Sequence, residues 1–271
     1  MAANGESALV PPIRFRPRFS LRTVFVTFSV IAGVLVVANV YVRPRIERRI
    51  AVGRVFGSGG MVWFENPAEE IGADNPYTTP ALNLWGTVDS IDIKNDAQAM
   101  VVAQEARRIP ELGGIEFGRG VTNVGVAAIC DSPDCDSIES LSFFDTAVTS
   151  EAFSHLGKLP KLQHIMFNTC PINAAGIAEL NRVSHLESLI FVEEPARANH
   201  DRLDEACFDE LGKLFRVQKL NLGGINVSDI AARKLHGMKQ LNTLIFHKGR
   251  ISDAAAAELR TALPATSISV Y

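Results

Sequence analysis

The chain has 271 residues, of which 47% are hydrophobic and 21% are charged, and its formal net charge at pH 7 is −3. This length and apolar content suffice for one or two domains with a sizeable core. A net charge near zero gives no overall field for nucleic acid, so we do not expect a nucleic-acid-binding protein. Four cysteines in so long a chain do not form the dense disulfide framework of small secreted scaffolds.

The amino-terminal part predicts a tail followed by a membrane anchor. Residues 1–22 combine prolines and arginines with few large apolar side chains, so we expect a disordered basic tail. Residues 23–42 contain no charge, and a helix of this length at ~1.5 Å per residue spans the ~30 Å hydrocarbon layer of a lipid bilayer. We therefore predict a transmembrane helix over residues 23–42. A buried core helix and a cleaved signal peptide are the alternatives.

Arginines flank this apolar run on both sides: Arg14, Arg16, Arg18 and Arg22 before it, and Arg43, Arg45, Arg48, Arg49 and Arg54 after it. Four cations against five is a near tie under the positive-inside rule, so the count does not settle the orientation. A single amino-terminal anchor most often exports the large carboxy-terminal part. We expect a single-pass protein of the cell membrane whose carboxy-terminal part is exported.

Residues 43–87 are predicted to be a juxtamembrane linker with an amino-terminal capping strand. Gly57, Gly59 and Gly60 indicate a turn, and the aromatic and β-branched residues of 61–65 indicate a strand after it. We expect this strand to cover the open edge of the first repeat, because exposed sheet edges promote aggregation. Neither GxxxxGK[ST] nor GxGxxG is present, so a turn is favoured over a phosphate loop.

From residue 88 onward a strand motif of the form LxxLxL recurs. It begins at Val88, Leu112, Ile138, Leu162, Leu186, Val217, Leu241 and Ala265. The intervals are 24, 26, 24, 24, 31, 24 and 24 residues. An apolar helical residue follows 18 positions after the start of most motifs, at Ala106, Leu156, Leu180, Leu235 and Leu259. Residues 88–271 therefore predict about eight stacked strand–helix repeats, with helices beginning at Thr149, Asn173, Ser228 and Ser252.

The segments IESLSFFDTAVTSEAFSHLGKLPK and LNTLIFHKGRISDAAAAELRTALP resemble the 24-residue leucine-rich repeat, whose pattern is close to LxxLxLxxTxIxDxxxxxLxxLPx. The arginine-flanked helix ahead of them resembles bacterial single-pass membrane-anchored leucine-rich-repeat proteins. The resemblance implies an α/β leucine-rich-repeat solenoid that binds proteins, with parallel strands on the concave face and helices outside. The position usually taken by asparagine or cysteine is here Thr146, Cys170, Ile225 or Gly249, so we do not expect a continuous asparagine ladder.

The solvent face of the strands predicts a binding surface. In a parallel strand of the form LxxLxL the second, third and fifth residues face solvent. The fifth-position column is Asp92, Glu116, Ser142, Met166, Ile190, Asn221, Ile245 and Ser269. Its apolar middle with a polar rim is typical of protein interfaces, although the exposure can also be incidental. The predicted protein-binding site comprises Phe144, Gln163, His164, Met166, Glu187, Ile190, Val192, Lys219 and Ile245. The seven extra residues of the long repeat, near 193–202, either border this site or are a tolerated excursion.

Cys130 and Cys135 are spaced C-x4-C in a polar loop, which leaves three alternatives: free thiols, a disulfide, or half of a metal site. Cys170 and Cys207 fall at interior repeat positions. No HExxH, GxSxG, kinase or Walker signature is present, so we expect no enzyme, cofactor or metal. The first function hypothesis is a non-catalytic protein-interaction module with an unidentified protein partner. The alternative is a structural, self-assembling envelope protein whose carboxy-terminal strand, residues 267–271, associates with a second copy.

Overall fold

In a computed structural model of the chain, the described residues are 21–64, 88–192, 203–223, 225–246 and 251–270. The expectations for residues 1–20, for the loop after residue 64 and for the insertion at 193–202 lie outside these ranges. The chain divides into two compact units, Met1–Arg45 and Ile46–Tyr271.

The amino-terminal unit contains an apolar helix. Helix α1 spans Leu21–Val37 and continues through a π-helical turn at Ala38–Val42. The helical stretch that starts at Phe25 is long and apolar enough to cross a membrane, and none of its apolar window is buried. A signal sequence near the amino terminus meets the same criteria, so both alternatives for this segment stay open.

The linker predicted after residue 42 is instead helical. Helix α2 spans Arg43–Gly57, and its only proline, Pro44, lies in the first turn, where proline is tolerated. Its buried side chains are Ala51, Val52 and Val55, which repeat at helical spacing and join the hydrophobic core of the second unit. The predicted glycine turn follows, with Gly59 at φ +90°, a conformation that favours glycine.

The second unit alternates strands with short helices. The strands are β1 Met61–Phe64, β2 Val88–Asn95, β3 Gly114–Gly120, β4 Ser140–Phe144, β5 His164–Asn168, β6 Ser188–Val192, β7 Lys219–Leu222, β8 Thr243–Phe246 and β9 Ser267–Val270. The helices are α3 Asp96–Glu105, α4 Asn123–Cys130, α5 Ser150–Phe153, α6 Ala174–Glu179, α7 Glu205–Leu211, α8 Asp229–Lys234 and α9 Asp253–Ala262. Short 3-10 turns follow α3, α5, α6 and α8.

The described strands form one sheet in the order β1 to β9. Strand β1 pairs antiparallel with β2, which confirms the predicted capping strand, and every later pair is parallel. Each of the strands β2 to β8 is followed by a helix whose apolar side chains pack behind the sheet in one continuous core. The second unit therefore has the α/β leucine-rich-repeat fold.

Phenylalanines stack through the centre of this core. Phe117, Phe143, Phe167 and Phe191 occupy the sixth position of successive strands, with ring centroids 5.2, 5.2 and 5.5 Å apart. Phe153 of α5 packs edge-on against two of these rings, at 5.8 and 5.3 Å. Each such pair adds about 0.5–1.5 kcal/mol beyond its buried area.

Capping residues join neighbouring repeats. Thr149, Asn173, Ser228 and Ser252 are N-cap residues, as predicted. Asp229, the first residue of α8, accepts hydrogen bonds from the backbone N–H and hydroxyl of Ser252 at 3.0 and 2.7 Å. Asp96 binds Thr122 in the same way, at 2.8 and 2.6 Å. One repeat thus fixes the cap of the next.

Thr146 and Cys170 form a polar contact at the repeat position where leucine-rich repeats usually have asparagine. The Thr146 hydroxyl and the Cys170 sulfur lie 3.4 Å apart and both side chains are buried. The Cys170 thiol also approaches the carbonyl oxygens of Phe143 and Asn168, at 3.2 and 3.3 Å. The buried Cys170 thiol therefore has backbone acceptors within reach in the core.

We expect Phe167→Ala to lower the free energy of unfolding by about 3–5 kcal/mol, because it removes the ring that contacts Phe143, Phe153 and Phe191 and leaves a cavity. The matched control is Phe215→Ala, whose ring is 64% exposed and whose loss should change stability little. The denaturant midpoint and slope measure both effects. Equal shifts for the two variants would contradict the stacked core.

Candidate functional site

The solvent face of the sheet carries columns of side chains that run from strand to strand. In β2 to β9 the fifth-position residues pair in the predicted order, Asp92, Glu116, Ser142, Met166, Ile190, Asn221, Ile245 and Ser269. All of them are half-buried. The residues that flank them in sequence are buried in β2 to β8, and in β9 the flanking residues Ile268 and Val270 are partly buried. The predicted alternation of inward and outward residues is therefore confirmed.

The apolar centre of this face lies on β4, β5 and β6. Met166 and Ile190 are direct neighbours across the β5–β6 pair. Phe144 and Val192 are the last residues of β4 and β6, and Asn168 lies between them in the same column. Together the four apolar residues form what we call the apolar patch. Val192 is 37% exposed and the other three are half-buried.

One predicted member does not join the apolar patch. Ile245 lies in the same column as Ile190, but the polar side chain of Asn221 separates them. With adjacent strands about 4.8 Å apart, the two isoleucines are roughly 10 Å from each other. Ile245 is therefore a separate half-buried apolar residue on this face.

The predicted rim residues lie in the second and third columns, beside the apolar patch and toward the starts of the strands. His164 and Lys219 are exposed third-position residues on β5 and β7, separated by the buried Ser188 of β6. Gln163 is half-buried and Glu187 is exposed at the second position. The rim thus presents both signs of charge beside the apolar patch.

The amino-terminal end of the same face is acidic. Asp92 and Glu116 are neighbours on β2 and β3, as their shared repeat position predicts. Partial burial raises the pKa of Asp92, although Lys94 acts in the opposite direction. Partial burial also raises the pKa of Glu116, and the charges of Asp92 and then Asp89 raise it further. These carboxylates repel each other across the parallel pair.

The cysteines are interior residues. Cys130 is the last residue of α4, and Cys135 follows in the next turn; their thiols are free and only 3% and 1% exposed. The polar character of this loop comes from Asp131, Asp134 and Asp136, which face solvent while the sulfurs face the core. Burial raises the pKa of the Cys135 thiol to about 11 and that of Cys130 still further. The disulfide stays a prediction.

Within the described ranges, no three His, Cys, Asp or Glu side chains are grouped as a metal site would require. Local sequence patterns did not predict helix α2 or the inward orientation of the two cysteines, because both depend on packing against residues that are distant in the chain.

Comparison with known proteins shows similarity to solved leucine-rich-repeat structures. No family model matches the chain. No curated protein matches it either. An internalin of Listeria monocytogenes is 14% identical over 62% of this chain and 45% of its own, with a TM-score of 0.37. Internalin C2 of the same organism is 17% identical over 65% and 84%, with a TM-score of 0.40.

A third solved structure, a leucine-rich-repeat protein of Leptospira interrogans, is 14% identical over 64% of this chain and 56% of its own, with a TM-score of 0.37. The chain spans about half the length of the first and third of these proteins. The fold assignment rests on the strand register and repeat length of the chain itself.

We expect Asp92→Asn to lower the pKa of Glu116, because it removes the carboxylate whose charge raises that pKa more than the charge of Asp89 does. Glu116 binds its proton more tightly in the folded protein, so it stabilises the fold at pH values below its ordinary pKa. This stabilisation is lost as the pH rises through the raised pKa of the folded protein. The Asp92→Asn variant should lose less stability over this pH range than the wild type. Carbon-13 NMR titration of Glu116 and unfolding measured against pH test this. Asp89→Asn, the control, should have a smaller effect; an unchanged Glu116 pKa in Asp92→Asn would refute the coupling.

Proposed function

We propose that the repeat unit is a non-catalytic protein-interaction module that binds another protein through the solvent face of β4, β5 and β6. The observation that supports this most directly is the apolar patch of Phe144, Met166, Ile190 and Val192. These side chains lie on the open face of the sheet, and the described part of the chain leaves each of them partly accessible to solvent. Apolar side chains in the middle of a polar surface supply most of the affinity of a protein interface.

We expect the rim residues to set the orientation of the bound partner and to contribute little to the binding affinity. His164, Glu187 and Lys219 are exposed beside the apolar patch, toward the starts of the strands. Charges there are only weakly stabilising, but they repel wrongly placed partners. A partner that buries Met166 and Ile190 has to match a cation and an anion within two strand spacings. This requirement favours one docking orientation of a protein surface.

We also propose that the apolar run at residues 23–42 anchors the protein in a cell membrane with the repeat unit exported. Support comes from the solvent exposure of every residue from Phe25 to Val42 and from the arginines on both sides of the run. An uncovered apolar helix of this length is unstable in water and stable in a bilayer. The anchor would confine the repeat unit to the membrane surface, where it meets its partner in two dimensions.

A photo-crosslinking amino acid at position 190 tests the interface in cells. We expect covalent adducts with a second protein from position 190 and none from position 230, since Ile230 is 55% exposed on α8 and away from the sheet face. Adding Met166→Glu should reduce the adduct yield about tenfold, because it places a charge at the centre of the interface.

Two outcomes would refute the interface. Equal adducts from positions 190 and 230 would indicate non-specific contact. Adducts whose mass corresponds to two copies of this chain would show that this surface binds a second copy of the chain and not a different protein.

Thiol labelling tests the orientation. All four native cysteines are buried, so wild-type protein should not react with a membrane-impermeant maleimide. Val124→Cys introduces an accessible thiol on α4, where the native side chain is 54% exposed. We expect this variant to be labelled in intact cells. Labelling that requires permeabilised cells would place the repeat unit in the cytoplasm.

A further inference from the structure

The two edges of the solenoid sheet differ in charge. At the edge where strands end and helices begin, the first helical turns carry Asp96, Glu151, Glu205, Asp229 and Asp253. At the opposite edge, where helices end and strands begin, the 3-10 turns carry Arg107, Arg108, Lys158 and Arg182. We call the first edge the acidic edge and the second edge the strand-entry edge.

Helix dipoles account for part of this asymmetry, because carboxylates stabilise helix starts and cations stabilise helix ends. They do not account for Lys161, Arg216 and Lys239, which lie beyond the helices in the turns that lead into β5, β7 and β8. The three side chains are exposed. Within the described residues, Lys161 and Arg216 form neither an ion pair nor a side-chain hydrogen bond, and Lys239 donates to the backbone carbonyl of Ala262 at 2.6 Å.

Carboxylates at this edge are mostly engaged within the chain. Glu179 and Glu210 each pair with the cation three residues later, at 2.9 and 2.6 Å. Asp131 pairs with Lys158 at 2.8 Å. The exposed exceptions include Asp134 and Asp136 in the turn before β4, Glu139 directly before β4, and Glu187 directly before β6. From β5 to β8 the strand-entry edge therefore has surplus positive charge.

An exposed aromatic ring lies in the middle of this basic stretch. Phe215 is 64% exposed in the turn before β7, next to Arg216. Beside it is a groove of about 200 Å³ whose walls include Val183, Leu186 and Leu214. No repeat position requires an aromatic residue here, since the equivalent turn residues are Pro160, Ser184 and Lys239.

The amino-terminal helix of the repeat unit attaches at the same edge. Arg54 of α2 contacts Glu105, at the end of α3, at 2.5 Å, and Arg48 contacts Glu111, in the turn before β3, at 2.7 Å. Arg48 follows Val42, the last residue of the apolar run, by six residues.

We propose that the strand-entry edge from β5 to β8 is a second membrane contact that binds the surface of a bilayer containing anionic phospholipid. Lys161 and Arg216 contact lipid phosphates, and Phe215 inserts at the level of the headgroups. Cations beside an apolar side chain are the usual chemistry of such peripheral contacts. The inference rests on the proposed anchor and adds an orientation: the acidic edge faces away from the membrane.

The test uses the full chain in lipid nanodiscs with a fluorophore on Phe215→Cys, since the native thiols are buried. Quenching by spin-labelled lipid is compared between discs with phosphatidylglycerol and discs of phosphatidylcholine alone. The same fluorophore on Ile230→Cys, at the acidic edge, is the control position. We expect strong quenching at position 215 in anionic discs and little at position 230.

Charge reversal identifies the cause. Lys161→Glu with Arg216→Glu should weaken quenching at position 215 at least about fivefold, the effect of roughly one cation near an anionic surface. The charge-conserving pair Lys161→Arg with Arg216→Lys should leave it unchanged. Discs that retain the protein but show equal quenching at both positions overturn this inference alone. A chain that does not stay with the discs overturns the anchor and the inference together.

Discussion

The parallel hydrogen-bonded ladder from β2 to β9 is the constraint on which the rest of the repeat unit depends. Each strand pairs with the next so that equivalent repeat positions are hydrogen-bonded neighbours. Side chains at one repeat position therefore lie next to each other across the sheet. The phenylalanine stack exists because four successive repeats place an aromatic ring at the same inward position. A single strand and helix could not bury these rings, so stability is shared between neighbours. Strand β1 closes the first edge by pairing antiparallel with β2.

The same register builds the solvent face. Once inward residues are fixed by packing, the outward residues are fixed too, because consecutive side chains in a strand point to opposite faces. Met166 and Ile190 are neighbours for the same reason that Phe167 and Phe191 are. The acidic end, the apolar patch and the mixed rim therefore occupy one surface in a defined order. A protein partner of this surface would meet columns spaced by the strand separation, not by any loop conformation.

The two edges follow from the strand–helix alternation. All helices begin at one edge and end at the other, which collects capping carboxylates on one side and cations on the other. The bonds from Asp229 to Ser252 and from Asp96 to Thr122 show that these carboxylates also join repeats. The additional turn cations and Phe215 distinguish the strand-entry edge from a merely dipole-compensated surface. Charge asymmetry across a solenoid provides an orientation that a uniform surface lacks.

The sequence by itself determined the repeat length, the outward column and the helix caps, because each of these depends on residue spacing within one repeat. It also identified the apolar run and the capping strand from composition. Only the tertiary structure decided that residues 43–57 form a helix, since Ala51, Val52 and Val55 are stabilised by distant core residues. It likewise turned Cys130 and Cys135 inward and extended β4 and β6 to Phe144 and Val192. Pairings such as that of Arg48 with Glu111 join residues far apart in the chain, and no local period encodes them.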